Sequence, residues 1–293
     1  MKNDEIERIE VELLVDALHR RYGYDFRHYA RASLRRRLRH ALAKSGYKRL
    51  SELLDALLWD ENVAHTLIAN LSVTVTEMFR DPSFYQAVRK KILPYLGTYP
   101  FFKVWVAGCA TGEEVYSLAI LLYEEGLYER AKLFATDFNE TALKQAKDGI
   151  YPLKDMRQHT SSYQKAGGQG SFSDYYHADY QSAIINPALK TNITFANHNL
   201  ATDGIFSDVQ LIFCRNVLIY FDRVLQNWVL NNFTQSLGNG GFLCLGNKES
   251  LDALERRGEY AAIDAVERIY QKRPATGPLQ TSTPGPKSAG WPA

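Results

Sequence analysis

A run of small and acidic residues, Gly108-Cys109-Ala110-Thr111-Gly112-Glu113-Glu114, follows directly on the apolar stretch Lys103–Ala107. Glycine frees the backbone for conformations other residues avoid. Gly108 is therefore expected to turn the chain off a strand, and Gly112 to let bare backbone approach a ligand. The spacing is not the G-x-G-x-x-G of dinucleotide sites, and no Lys-Ser/Thr pair follows to complete a phosphate loop. Two glutamates at a helix start would repel a pyrophosphate but would suit a ligand with an amino group or a positive charge. S-adenosylmethionine has both, an α-ammonium and a sulfonium. Asp137 closes the next apolar run, Ala131–Thr136, about 25 residues beyond Gly112. That is near the spacing at which an acid accepts ribose hydroxyls in nucleotide-binding sheets. A third run, Val209–Phe213, ends on Cys214-Arg215-Asn216. The seven histidines form no H-x-x-H or H-E-x-x-H pair, so no metal is expected. Cys109, Cys214 and Cys244 are widely spaced and lie in or beside apolar runs, which reads as reduced thiols in the cytoplasm.

These groups need a frame, and the alternation around them supplies one. With 293 residues, 45% hydrophobic and 23% charged, the chain can bury a core without disulfides. No apolar run is long enough to span a membrane, and the N-terminus is charged rather than a signal peptide. From about residue 86 to 273, strand and helix patterns alternate, which predicts an α/β fold with a parallel sheet. The expected elements are strand 103–107, helix 114–125, strand 131–136, helix 140–147, strand 209–213, helix 223–237, then turn-and-strand GNGGFLCLG and a last strand 267–272. Asn139 or Asp137 is placed to cap the second of these helices. Residues 151–195 break the rhythm and read as an inserted β-rich lobe, with 192–200 as a short antiparallel strand. The segment 274–293 is rich in Pro, Gly, Ser and Thr and is expected to be disordered.

Residues 1–85 read as a separate helical domain. Ile6, Ile9, Leu13, Leu14 and Ala17 recur at helical spacing, and Leu34, Leu38, Ala41 and Leu42 share a face of a second helix that Gly46 ends. Ser51 is expected to cap a third helix, 51–58. Between Arg20 and Arg49 there are eleven Lys/Arg and a single acid, Asp25. Such a helix either faces water or meets an anionic partner.

Four segments together resemble the chemotaxis receptor glutamate methyltransferases, the CheR family. They are VTVTEMFRDPSFY (73–85), WVAGCATGEEVYSLA (105–119), LFATDFNETALKQAKDGIY (133–151), and LIFCRNVLIYFD (211–222) with GGFLCLGNKESL (240–251). The resemblance runs from about Tyr22 to Lys272. It implies a Rossmann-like, S-adenosylmethionine-dependent methyltransferase sheet with a small antiparallel β insertion, preceded by an all-α domain. The implied activity is transfer of a methyl group from S-adenosylmethionine to glutamate side chains on the cytoplasmic helices of chemoreceptors, leaving S-adenosylhomocysteine.

The resemblance also implies a site. Thr74, Thr76 and Arg80 would close over the cofactor. Glu113 and the backbone near Gly108 would hold its amino-acid end, and Asp137 its ribose. Asn199 and Leu200 would flank the adenine, and Arg215 and Asn216 would lie beside the methionine part. Arg80 and Tyr220 are the implied catalytic residues, and Arg35, Arg36 and Arg39 the implied receptor contacts. The protein is expected to be a cytoplasmic monomer that binds no nucleic acid and does not insert into a membrane. The chain departs from the family pattern with Ala110 for Ser, Val115 for Pro, Thr74 for the Asn of some members, and Asn247-Lys248 for His-Ser. Plainer uses stand beside these roles: Asp137 as a helix cap, Arg80-Asp81 before Pro82 as a helix start, Arg215 paired to a carboxylate under the sheet, and Tyr220 and Phe221 as core aromatics. Two rival functions remain. One is a nucleic-acid methyltransferase, although the fourth strand lacks the N/D-P-P-Y/F element of base amino-group methylation. The other is a non-catalytic cofactor-binding module for signalling or protein interaction.

Overall fold

The computed structural model describes residues 2–252 and 254–274. The expectation for the tail therefore lies, beyond Pro274, outside the described residues. The chain opens with four helices, α1 (Lys2–Tyr22), α2 (Arg31–Ser45), α3 (Leu50–Trp59) and α4 (Glu61–Leu71). Their shared core takes Leu34, Leu38 and Ala41 from α2, as the sequence predicts. From α1 it takes Val11, Leu14, Val15 and Leu18, the i, i+3, i+4, i+7 set that makes one continuous stripe. Ile6, Ile9 and Leu13, expected on that face, are instead 56%, 48% and 53% exposed. Burial of Leu50 (3% exposed) starts α3 one residue early, so Ser51 is inside the helix. Its N–H donates to the Glu10 carboxylate at 3.1 Å, and Arg49 occupies the cap position.

A linker at 72–77 leads to α5 (Pro82–Lys91) and α6 (Leu93–Leu96). Met78, Phe79, Phe84 and Tyr85 already belong to the core of the following domain, so packing divides the chain before residue 85. Pro82 opens α5 at its first position, where its missing N–H costs nothing. Then come β1 (Phe102–Ala107), α7 (Glu113–Glu124), β2 (Ala131–Asp137), α8 (Glu140–Asp148), β3 (Ile150–Pro152), α9 (Met156–Lys165), β4 (Tyr176–Asp179), β5 (Ser182–Ile185), β6 (Ile193–Asn197), β7 (Val209–Cys214), α10 (Arg223–Ser236), β8 (Leu237–Leu245), β9 (Tyr260–Asp264) and β10 (Ile269–Lys272).

The main sheet has the order β6-β2-β1-β7-β8-β10-β9. The first five strands run parallel and β10 is antiparallel to β8. Order reverses on either side of β1, so the crevice at the carboxyl ends of β1, β2 and β7 is a topological switch point. The inserted lobe is smaller than the sequence suggests. β3, β5 and β4 form its three-stranded antiparallel sheet, and α9 lies within it. Residues 193–197 are not part of it. They form β6, which pairs parallel with β2 from Leu133↔Ile193 to Asp137↔Asn197. Glu124 of α7 holds the lobe in place, accepting bonds from Arg89, Tyr163, Tyr175 and the Gln169 N–H.

Among the described residues no helix is long and apolar enough to cross a membrane, and no His/Cys/Asp/Glu group could hold a metal ion. All three cysteines are buried and free. Burial pushes their thiols up, which keeps them protonated.

Candidate functional site

At the end of β1 the chain must leave the sheet within one residue. Gly108 does so at φ 76°, and its N–H and that of Cys109 both donate to the Thr136 carbonyl (2.8 and 2.9 Å). A Cβ at Gly108 would lie 2.6 Å from Val217 Cγ2, so only glycine lets the turn after β1 meet the turn after β7. Gly112 serves packing instead of ligand approach. It sits at φ 97°, and a Cβ there would come within 2.9 Å of the Ala146 side chain on α8.

Between these glycines Ala110 takes φ 48° and donates its N–H to Asp137 Oδ2 (2.9 Å). Asp137 Oδ1 accepts the Asn139 N–H (2.9 Å). Asn139 is the cap of α8, its side chain accepting from Ala142. That leaves Asp137 to line the cleft. Burial pushes its carboxyl up, while backbone N–H groups at Asn139, Ala110 and Phe138 pull the other way.

Arg215 projects from the end of β7 with its side chain 2% exposed. Nη1 donates to Glu114 (2.7 Å) and Nη2 to Asp81 (2.8 Å) and to the Arg80 carbonyl (3.3 Å). The guanidinium lies 4.0 Å from the centre of the Phe84 ring. The plainer reading of Arg215 as the partner of a buried carboxylate is thus part of the geometry, with two acids rather than one. Burial works against the Arg215 charge, but Glu114, Tyr85 and Asp81 outweigh it and raise its pKa. Arg80 also acts on Glu114, so two carboxylates face two guanidinium groups at this end of the cleft, and Glu114 presents a carboxylate to it.

Phe79 and Asp81, on either side of Arg80, have φ of 55° and 57°, and Asn216 has 61°. With Ala110, these are four of the six described non-glycine residues in the left-handed region. Each such residue costs of order 1–3 kcal/mol unless its surroundings fix it. Their concentration around one cleft marks it as the part of the fold built for more than stability.

The helical domain closes the cleft from above. The Ala30 N–H donates to the Tyr220 carbonyl (2.7 Å), and the Asp222 N–H to the His28 carbonyl (2.8 Å). The His28 ring also bonds Asp222 at 2.9 Å, and Tyr29 packs edge-on to Phe221. Arg37 of α2 donates to the Ser72 carbonyl (2.8 Å), and its guanidinium lies 5.3 Å from the centre of the Tyr220 ring. Arg37, Tyr220 and Phe221 all line the cleft.

The structure brings together nine of the residues expected from sequence: Thr76, Arg80, Gly108, Asp137, Asn199, Leu200, Arg215, Asn216 and Tyr220 all line one cleft. Five others do not. Thr74 does not line the cleft, and its carbonyl accepts from Thr111 Oγ1 at 3.5 Å. Glu113 is buried, accepts from Thr111 Oγ1 (2.6 Å), and is pushed up to about 7 by burial. The carboxylate at the cleft is its neighbour Glu114. Arg35 and Arg39 are engaged by Glu7 of α1 (2.6 and 2.5 Å), whose carboxyl Arg39 and Arg35 hold down at about 2. Arg36 is exposed and makes no ion pair among the described residues.

Sequence reasoning missed Arg37, Tyr29 and Ser33 at the roof. The signal for Arg37 was in the pattern. Counting from the buried Leu34, a residue three positions on lies beside the core stripe, at the edge that meets the neighbouring domain. Residues 35, 36 and 39 fall further round.

Two family models cover the chain. Residues 9–72 match the CheR methyltransferase all-alpha domain, and residues 74–266 the CheR methyltransferase SAM binding domain. The chain is 47% identical over 264 residues to the Cher3 protein of Pseudomonas putida, covering 90% of this chain and 97% of that one. It is 30% identical to a chemotaxis protein methyltransferase of Listeria monocytogenes (78% and 85% covered) and 28% identical to one of Borreliella burgdorferi (85% and 90% covered).

Proposed function

The chain belongs to the CheR methyltransferase family, with S-adenosylmethionine as its cofactor, and from that premise we propose that it methylates glutamate side chains on the cytoplasmic helices of chemoreceptors. The observation that carries this reading is the cleft itself: a donor site at the switch point of the sheet, roofed by an arginine-bearing helix. The residues present fit the cofactor. Gly108 lets the turns after β1 and β7 close on each other at the cleft, where any Cβ would strike Val217. Asp137 presents a carboxylate where ribose hydroxyls are taken in such sheets. Glu114 lines the cleft beside Arg215 and offers a carboxylate to an ammonium or a sulfonium. Asn199 and Leu200 would flank the base.

When bound, S-adenosylmethionine supplies a methyl group on a positively charged sulfur that a carboxylate oxygen can displace directly. A glutamate has a pKa of about 4.3, so it is ionised at neutral pH and needs no general base. That accounts for a cleft without a Ser-His-Asp or Cys-His set. His198 lines the cleft, but burial lowers its pKa, and it packs against Trp105 and Phe206. The protein's work is to orient and to exclude water. Arg80, fixed between two left-handed residues, would orient the acceptor carboxylate. Tyr220, fixed by Ala30 and Arg37, would shape the methyl pocket and donate a hydrogen bond. Arg37 and the exposed Arg36, more than the neutralised Arg35 and Arg39, would meet the acids of a receptor helix. The names of the Listeria and Borreliella relatives place those proteins in chemotaxis, which supports a chemoreceptor as partner and the cytoplasm as location.

Labelled methyl donor and a receptor cytoplasmic fragment test the proposal. Label should enter the fragment and be lost when its helix glutamates are changed to glutamine. Label entering nucleic acid but not the fragment would refute it.

A further inference from the structure

The loop after β7 carries Asn216 and Tyr220 to the cleft, and a carboxylate from another loop lies beneath it. We infer that Glu249 is a positioning residue for this site, its buried side chain setting the turn that presents Asn216 and Tyr220. The inference rests on the reading of those two residues given above.

Glu249 is 4% exposed and has no ion-pair partner among the described residues. Its Oε2 accepts the N–H of Gly246 (2.6 Å) and of Asn216 (2.9 Å), and its Oε1 accepts the N–H of Ile219 (3.2 Å). These donors come from the loops after two adjacent parallel strands, β7 and β8. Beyond a strand end such N–H groups have no ladder partner, and leaving them buried and unpaired is costly. A carboxylate only accepts, with about four lone-pair directions, so one side chain can satisfy all three. Burial pushes the Glu249 carboxyl up and these N–H groups pull it down.

Two further observations point the same way. Asn216 has φ 61°, a conformation that persists only when its surroundings fix it. A Cβ at Gly246 would lie 2.8 Å from Asn216 N and 2.9 Å from Glu249 Oε2, so the two loops close on the carboxylate only because residue 246 is glycine. The held segment then runs through the short helical turn Leu218–Tyr220. Its last carbonyl receives the Ala30 N–H of the helical domain. A shift at Ile219 would therefore move Tyr220 and loosen the roof together.

Amide hydrogen exchange of the ligand-free protein, calorimetry with S-adenosylhomocysteine, and methyl-transfer kinetics test this with Glu249→Gln and Glu249→Asp. In Glu249→Gln one acceptor oxygen becomes an NH2 group, so among the amides of Asn216, Ile219 and Gly246 those that faced it should lose at least about tenfold of their protection, with those of β1 and β7 unchanged. S-adenosylhomocysteine affinity should fall about tenfold, and kcat on the order of 100-fold, the effect expected of roughly 1 Å of misplacement. Glu249→Asp, which keeps the charge, should recover part of both. Adding Tyr220→Phe should cost less than the product of the single effects, since the two residues act through one turn. Unchanged exchange at the three amides would overturn the inference. So would lost protection with affinity and kcat within about twofold of the wild type. If the wild type transfers no methyl group, the proposed reaction fails, while exchange and S-adenosylhomocysteine binding still decide the role of Glu249.

Discussion

Glu113 and Glu114 are neighbours with opposite surroundings. Glu114 shares Arg215 at the cleft, whereas Glu113 has only Thr111 and is pushed up to about 7 by burial, from an ordinary 4.5. Its folded-state pKa lies above its unfolded value, so the fold favours the neutral acid. The stability this contributes is complete below about pH 4.5 and is lost as pH rises through about 7, roughly 3 kcal/mol at most. Glu113→Gln should therefore narrow the drop in Tm between pH 5 and pH 8, and a drop equal to that of the wild type would contradict the assignment. Residue identities in this site were legible from sequence only where a motif fixes the chain direction. Gly108, Asp137, Arg215 and Asn216 end strands, so their place at the carboxyl edge follows from the strand itself. Spacing from Leu34 sets Arg37 apart from Arg35, Arg36 and Arg39, but which of two adjacent glutamates turns to the cleft depends on helix phase relative to a partner. Charge and spacing do not carry that information.

Elements followed the same logic. β1, β2, β7, α7, α8 and α10 were readable because apolar runs of the right length alternate with amphipathic stretches bounded by glycine or capping residues. β6 reads as part of an antiparallel lobe because no residue in it is fully buried, residues 193–196 being half-buried and Asn197 exposed at the sheet edge. α9 escaped notice since its sequence, MRQHTSSYQK, buries only Met156, His159, Ser162 and Tyr163. The tight contact between α7 and α8 is a consequence that sequence reading assigned to the ligand. Gly112→Ala should destabilise the protein by about 2–4 kcal/mol, from a φ of 97° and a Cβ at 2.9 Å from Ala146. Denaturant unfolding measures it, and a change below about 0.5 kcal/mol would show that α8 moves aside at no cost.

At the scale of the whole molecule, the cleft belongs to both domains. Strand ends supply Gly108, Asp137 and Arg215, while the helical domain supplies Arg37 and the backbone that pins Tyr220. Packing of the basic helix divides its arginines: Glu7 and Asp4 pair Arg35 and Arg39, Glu12 pairs Arg31, Arg36 faces water and Arg37 faces the cleft. Arg37→Ala should therefore raise the KM for a receptor fragment about tenfold or more, against a change of about twofold or less for Arg39→Ala. Equal effects would return the docking role to the whole helix. The class of acceptor is the central claim, and the chemistry of the product bond reads it most directly. Receptor fragment labelled from S-adenosylmethionine would be held in mild alkali and the volatile label collected. A glutamate methyl ester hydrolyses to methanol, so the account predicts near-complete release. Label that stays on the fragment after alkali would mean transfer to nitrogen, sulfur or carbon, and would contradict it.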